Sequence, residues 1–144
     1  MSQLRDLSWR PPYAYVPGQT KRHTDDIFDT IKNDAKGIDY RAFEQTSTFW
    51  YATAFLKEGF YWESHEVFEA LWLRCPPESS EKKLIQALIQ IANMHLKLKM
   101  GRSNASVRLK KIASQLWEEA FNGSSEPIYG VKPDDLSNLM HYNA

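Results

Sequence analysis

The sequence predicts an all-α fold: a compact array of five or six helices behind an irregular N-terminal arm rich in proline and aromatic residues. Three observations predict it. Apolar residues recur at helical spacing in the long stretches, glycine and proline fall between those stretches, and no segment alternates as a strand does. The length of 144 residues fits one domain. The expected division is an arm over 1–23, packed on the body, and a single helical domain over 24–144.

The arm is punctuated by Pro11, Pro12, Pro17 and Gly18, which exclude a helix or a central strand. Trp9, Tyr13 and Tyr15 interleave with them and call for a surface to cover them. Thr24 is the expected cap of a first helix, with Asp25 and Asp26 in its first turn and Gly37 as its stop. A second helix is expected from Asp39 to Gly59 through Phe43, Phe49, Trp50, Ala54 and Phe55. A third runs from about Tyr61 to Arg74 and ends at Pro76-Pro77. Ser80 is the expected cap of a fourth, over 81–100, which stops at Gly101. A fifth, about 103–121, offers Val107, Leu109, Ile112, Leu116 and Trp117 as core positions. Pro133, with Asp134 and Asp135, suits the first turn of a short last helix.

Charge balances: Lys plus Arg is 18 and Asp plus Glu is 18. That argues against a general polyanion binder and a polybasic membrane anchor. No apolar run is long enough to span a bilayer, and the first residues carry no apolar signal core, so a cytoplasmic location is expected. The single Cys75 excludes an internal disulfide and a cysteine-rich zinc knuckle. The zero is a cancellation. Residues 1–72 hold 8 basic and 11 acidic groups, and residues 73–144 hold 10 basic and 7 acidic. Halves of opposite sign are also what a self-associating protein could use, and Trp50, Tyr51, Ala54 and Phe55 are candidates for a dimer face.

The third helix carries the candidate chemistry. His65 and Glu69 stand four residues apart, so they share one face, with Tyr61 and Trp72 on the same side. A histidine and a carboxylate at that spacing can hold zinc or iron. Glu66, about 100° round from His65, is the candidate general base. The zinc-protease pattern is absent, because position 69 is not histidine. No Glu stands three residues before any of His23, His65, His95 or His141, which argues against a di-iron bundle. The competing reading is a hydrogen-bonded pair in which Glu69 holds His65 in one tautomer.

Three blocks give the chain a resemblance. Residues 15–20, Tyr-Val-Pro-Gly-Gln-Thr, precede His23; residues 65–72 read His-Glu-Val-Phe-Glu-Ala-Leu-Trp; residues 86–90 read Gln-Ala-Leu-Ile-Gln, with Gly101 and Ala105 downstream. In order and spacing they resemble the DUF309 family, small helical proteins of unknown function. Ala87 departs from the glycine usual there. The resemblance implies a helical array, a homodimer and, for some members, a label of metal-dependent hydrolase that names no reaction. It also ties His23 to His65 and Glu69. The expectation is that the arm folds over the third helix, so that His23, His65 and Glu69 form a metal set. Tyr61, Trp72, Gln90 and Asn93 would line the pocket, and an unidentified small molecule would be the ligand.

One basic cluster stands apart: Lys97, Lys99, Arg102, Arg108, Lys110 and Lys111, with no acid among 97–111. It is a candidate phosphate or nucleic-acid patch. The structural alternative is a set of cations at a helix C-terminus and on an exposed helix face. No RNA- or DNA-binding motif supports nucleic acid.

Overall fold

The computed structural model describes residues 6–141, so the first five residues of the expected arm, and 142–144, lie outside the described residues. It contains six α-helices: α1 Asp29–Asn33, α2 Ser47–Glu58, α3 Tyr61–Trp72, α4 Ser80–Lys99, α5 Ser103–Phe121 and α6 Leu136–Met140. Two 3-10 segments, Tyr40–Gln45 and Pro133–Asp135, precede α2 and α6. Among the described residues there is no strand, only an isolated antiparallel bridge between Ile128 and Val131. No described helix is long and apolar enough to cross a membrane.

Helices α2 to α5 pack in sequence, each on the next, because short loops leave consecutive helices no other neighbour. Their shared core is built from Phe49, Phe55, Val67, Phe68, Leu71, Leu84, Leu88 and Ile91, with Trp117 of α5 closing one side. Alanines with no exposed surface, Ala52, Ala87, Ala92 and Ala113, let the helix surfaces meet closely. Two buried serines finish those contacts. Ser64 Oγ donates to the Ala52 carbonyl at 2.7 Å, and Ser106 Oγ donates to that of Met94 at 3.1 Å. Ser64 is thereby spoken for and forms no catalytic pair with its neighbour His65.

The boundaries of the first half differ from those expected. The first helix begins at Asp29, not after Thr24; residues 25–28 form turns. The expected helix from Asp39 to Gly59 is broken in two at Thr46, whose backbone is extended at φ −94° and ψ 151°. The cause is the hydroxyl run Thr46-Ser47-Thr48, whose side chains bond to backbone more readily than they propagate a helix. Thr46 Oγ1 accepts the Phe49 N–H at 3.1 Å and donates to the Phe43 carbonyl at 2.6 Å. Ser47 gives both its N–H and its hydroxyl to Asp34 Oδ2, each at 2.8 Å, and the Thr48 hydroxyl donates to the Ile31 carbonyl. The run therefore caps α2 and ties α1 to it. Thr46→Ala is expected to lower the unfolding free energy by about 1–2 kcal/mol in urea titration, since the cap of α2 and the hydroxyl's bond to the Phe43 carbonyl are lost together.

Gly59 ends α2 at φ +90°, a left-handed turn that an L side chain resists. Ser79, not Ser80, caps α4: its Oγ accepts the Lys82 N–H at 3.1 Å. On α5, Val107 and Ile112 are 57% and 43% exposed, so they are not the core positions expected of them. The inward stripe is Ser106, Ala113, Trp117, Ala120 and Phe121 instead, which leaves Val107 and Ile112 on the outer side. The candidate dimer face on α2 is likewise not free: Tyr51, Ala54 and Phe55 are buried and only Trp50 is exposed. They point into the layer formed by the arm. There the Trp9 ring meets Phe28, Tyr51 and Phe55 edge-on.

After α5 the chain turns through Tyr129 and Gly130, both at positive φ, in a tight reversal closed by two hydrogen bonds between Ile128 and Val131. Tyr129 is buried in the core and its hydroxyl donates to the Tyr40 carbonyl. Trp117 Nε1 donates to the Pro133 carbonyl at 3.0 Å, which pins the C-terminal segment against α5.

Candidate metal centre

Helix α3 sorts its polar residues by angle. At about 100° per residue, Glu63 and His65 point about 160° apart. Glu63 shares a stripe with Val67 and Leu71, faces inward and has no exposed surface. His65, Glu66 and Glu69 point outward, with side chains 20%, 28% and 44% exposed.

The outward group is close-knit. His65 Nε2 lies 3.0 Å from Glu69 Oε2, and its Nδ1 lies 3.3 Å from the Trp62 carbonyl oxygen. Both of these oxygens only accept, so each contact is made when the ring nitrogen in it carries a proton; a metal ion on Nε2 would take the place of that proton while the Nδ1 contact orients the ring. One ligand atom from each of His65, Glu66 and Glu69 lies within 4.8 Å of the others. Two bonds of about 2.0–2.1 Å at tetrahedral or octahedral angles separate their donors by about 2.9–3.4 Å, so the 3.0 Å spacing fits chelation. One nitrogen and two carboxylates, without a thiolate, suit zinc or iron. Lys32 of α1 reaches the same face, with Nζ 3.4 Å from Glu66 Oε2.

His23 lies elsewhere. Its Nε2 is 2.7 Å from Glu63 Oε2, with both side chains buried. The Tyr15 N–H donates to the same oxygen at 2.6 Å. Glu63 Oε1 is buried and makes no hydrogen bond among the described residues. The expected metal set of His23, His65 and Glu69 is therefore corrected. The arm does fold onto α3, but onto its inner face, and the rotation of the helix keeps His23 from His65. Tyr13 stacks on His23 at 4.8 Å and Tyr15 meets Trp62 edge-on at 5.0 Å, sealing the pair. Arg10 fixes the arm again through a forked ion pair with Glu58, at 2.6 and 3.0 Å, which raises the arginine's pKa and lowers the glutamate's. Glu63 and Lys32 were not singled out in the sequence. The signal for Glu63 was its i, i+4, i+8 register with Val67 and Leu71, which places an acid on the core stripe.

The expected pocket residues are dispersed. Tyr61 is buried and stacks on His95 of α4 at 4.9 Å. His95 Nε2 lies 2.7 Å from the Leu139 carbonyl, and burial holds its pKa below the usual histidine range. Trp72 carries the Lys82 ammonium 3.9 Å above its ring. Gln90 and Asn93 are half-buried on α4. Cys75 is buried beside Tyr129, 3.9 Å from its hydroxyl, and burial raises its thiol pKa. That is a structural thiol, not a ligand of the group.

The basic cluster is spread along two helices. Lys97 and Lys99 fall in the last turn of α4, where cations are favoured, and the Lys99 ammonium lies 6.0 Å over the Tyr61 ring. Arg102, Arg108, Lys110 and Lys111 are exposed. Lys110 and Lys111 share a shallow depression with Glu118 and Glu119, so its charge is balanced rather than basic.

Residues 49–109 match DUF309, a domain of unknown function. The DUF309 segment runs from α2 into α5 and contains the His65 face and the 86–90 block, two of the three blocks that carry the resemblance. The arm with His23, and Lys32, lie outside it. No curated protein and no solved structure matches the chain.

Proposed function

We propose that this protein, similar to DUF309 over residues 49–109, binds one divalent transition-metal ion on the outer face of α3. His65 Nε2, Glu69 and Glu66 are its ligands. With His23 engaged on the far side of the helix, Glu66 takes the third ligand place instead of serving as a general base. The observation that carries the reading is the group of three ligand atoms within 4.8 Å, with the Trp62 carbonyl beside Nδ1 to orient the His65 ring. Three protein ligands on a solvent-facing helix leave coordination positions open, the arrangement of reactive rather than structural ions. A bound ion would supply Lewis acidity to a substrate oxygen, which is the hydrolase option. Lys32 moves off Glu66 when the ion arrives. The same proposal keeps a homodimer and a cytoplasmic location, with the exposed side of α5, around Val107 and Ile112, replacing α2 as the contact face.

Calorimetric titration with zinc tests this. The native protein is expected to bind about one ion per chain saturably. His65→Ala is expected to weaken binding at least about ten-fold, and Lys32→Met to strengthen it by removing the competing ammonium. Absence of saturable heat in the native protein contradicts the proposal.

A second reading is favoured by the same contacts taken as they stand. The His65–Glu69 and Lys32–Glu66 pairs already satisfy one another, and the face is then an ion-pair cluster on a non-enzymatic binding module. Lys32→Met separates the two, since a structural pair gives no gain in metal affinity when its lysine is lost.

A further inference from the structure

A second site lies across the molecule from the arm, between α2 and the C-terminal segment. The C-terminal helix α6 packs on α4 and α5 and leaves a gap along α2. The gap is a cleft of about 330 Å³, at the small end of the ligand cavities of proteins, about 300–1,000 Å³. Its floor is apolar: Phe49 and Leu56 of α2, Leu88 of α4 and the Tyr129 ring, all buried.

Its polar groups are few and opposed. Lys57, in the last turn of α2, and Asp135, just before α6, both line the cleft. They form no ion pair with each other. The Lys57 ammonium makes no ion pair or hydrogen bond among the described residues. Asp135 Oδ2 accepts the Lys132 N–H at 2.8 Å, and Oδ1 is left with no such partner there. The Asn138 side chain, also in the lining, is equally unengaged. One free cation and one half-used anion therefore flank an apolar floor.

From this we infer that the cleft binds a zwitterionic α-amino acid with an apolar side chain. The carboxylate meets Lys57, the ammonium meets Asp135 Oδ1, and the side chain lies on Phe49, Leu88 and Tyr129. The charge pattern selects this class. A plain carboxylate would face the repulsion of Asp135, an amine that of Lys57, and a neutral hydrocarbon would engage neither charge. The site is independent of the metal face on α3, and neither depends on the other being occupied.

Amide NMR titration with L-leucine and L-phenylalanine tests it. Saturable shifts are expected at residues of α2 from Phe49 to Lys57 and in the 129–139 segment. Phenethylamine and 3-phenylpropanoate, each lacking one charge of phenylalanine, are expected to bind about ten-fold or more weakly. Lys57→Met, an exposed position, is expected to cost the amino acids a similar factor. Thr53→Leu places a larger side chain in the cleft and is expected to abolish the shifts while the protein still melts cooperatively. No saturable shift with either amino acid overturns the inference. So does equal affinity for all three phenyl compounds, or binding that survives both substitutions.

Discussion

Glu63→Ala is expected to lower the unfolding free energy by about 3–5 kcal/mol, read by urea denaturation, the range for removing one partner of a buried, hydrogen-bonded polar pair that includes a carboxylate. Glu63 has no exposed surface, and its Oε2 holds both His23 Nε2 and the Tyr15 N–H. Truncation leaves two donors buried without an acceptor and opens a space among Tyr13, Tyr15 and Trp62. The loss falls on the arm as well as on α3, because the arm reaches the body through this carboxylate. Replacing His23 and Glu63 together by leucine is expected to cost much less than Glu63→Ala alone, since paired apolar substitution removes both desolvation penalties. A single-variant loss below about 1 kcal/mol would mean that the pair does not hold the arm.

Phe55→Ala is expected to cost about 3–5 kcal/mol by the same assay. Phe55 is fully buried at the point where the arm, the segment before α1 and α2 meet. Its ring touches Trp9, Phe28, Tyr51 and Phe60. Four rings fixed by other contacts cannot collapse into the vacated volume, so the cavity penalty adds to the lost transfer energy. The exposed Trp50, five residues earlier on α2, is the control: Trp50→Ala is expected to cost under about 1 kcal/mol.

Much of this architecture was legible in the residues. Helices α3, α4 and α5 fall within a residue or two of expectation, because Gly59, the Pro76-Pro77 pair, Gly101 and Asn122-Gly123 punctuate them and their apolar period is clear. The region before α2 was not legible. Of three hydroxyl residues in a row, Thr46 and Thr48 bond to carbonyls of the 3-10 segment and of α1 and Ser47 bonds to the Asp34 carboxylate, and those partners are in place only once the chain has folded. The reversal at Tyr129-Gly130 was hidden for a similar reason. A bulky aromatic at φ +56° is a costly turn residue, held there by burial of its ring and by the Tyr40 carbonyl.

The site divides in the same way. The His65–Glu69 pairing follows from a four-residue spacing that any helix imposes. The partner of His23 depends on which side of α3 the arm crosses, and nothing local to His23 states that. The side follows Trp9, whose ring needs the apolar surface of Phe28, Tyr51 and Phe55, with Pro11 and Val16 buried along the arm, and the arm then meets α3 on its inner edge at Glu63.

X-ray absorption at the zinc edge, on protein loaded with one equivalent, tests the central claim most directly. The account predicts a first shell of nitrogen and oxygen near about 2.0–2.1 Å, with the outer-shell scattering of one imidazole that disappears in His65→Ala. A sulfur shell near about 2.3 Å, which only Cys75 or a methionine could supply, or an imidazole signal that persists in His65→Ala, would contradict it.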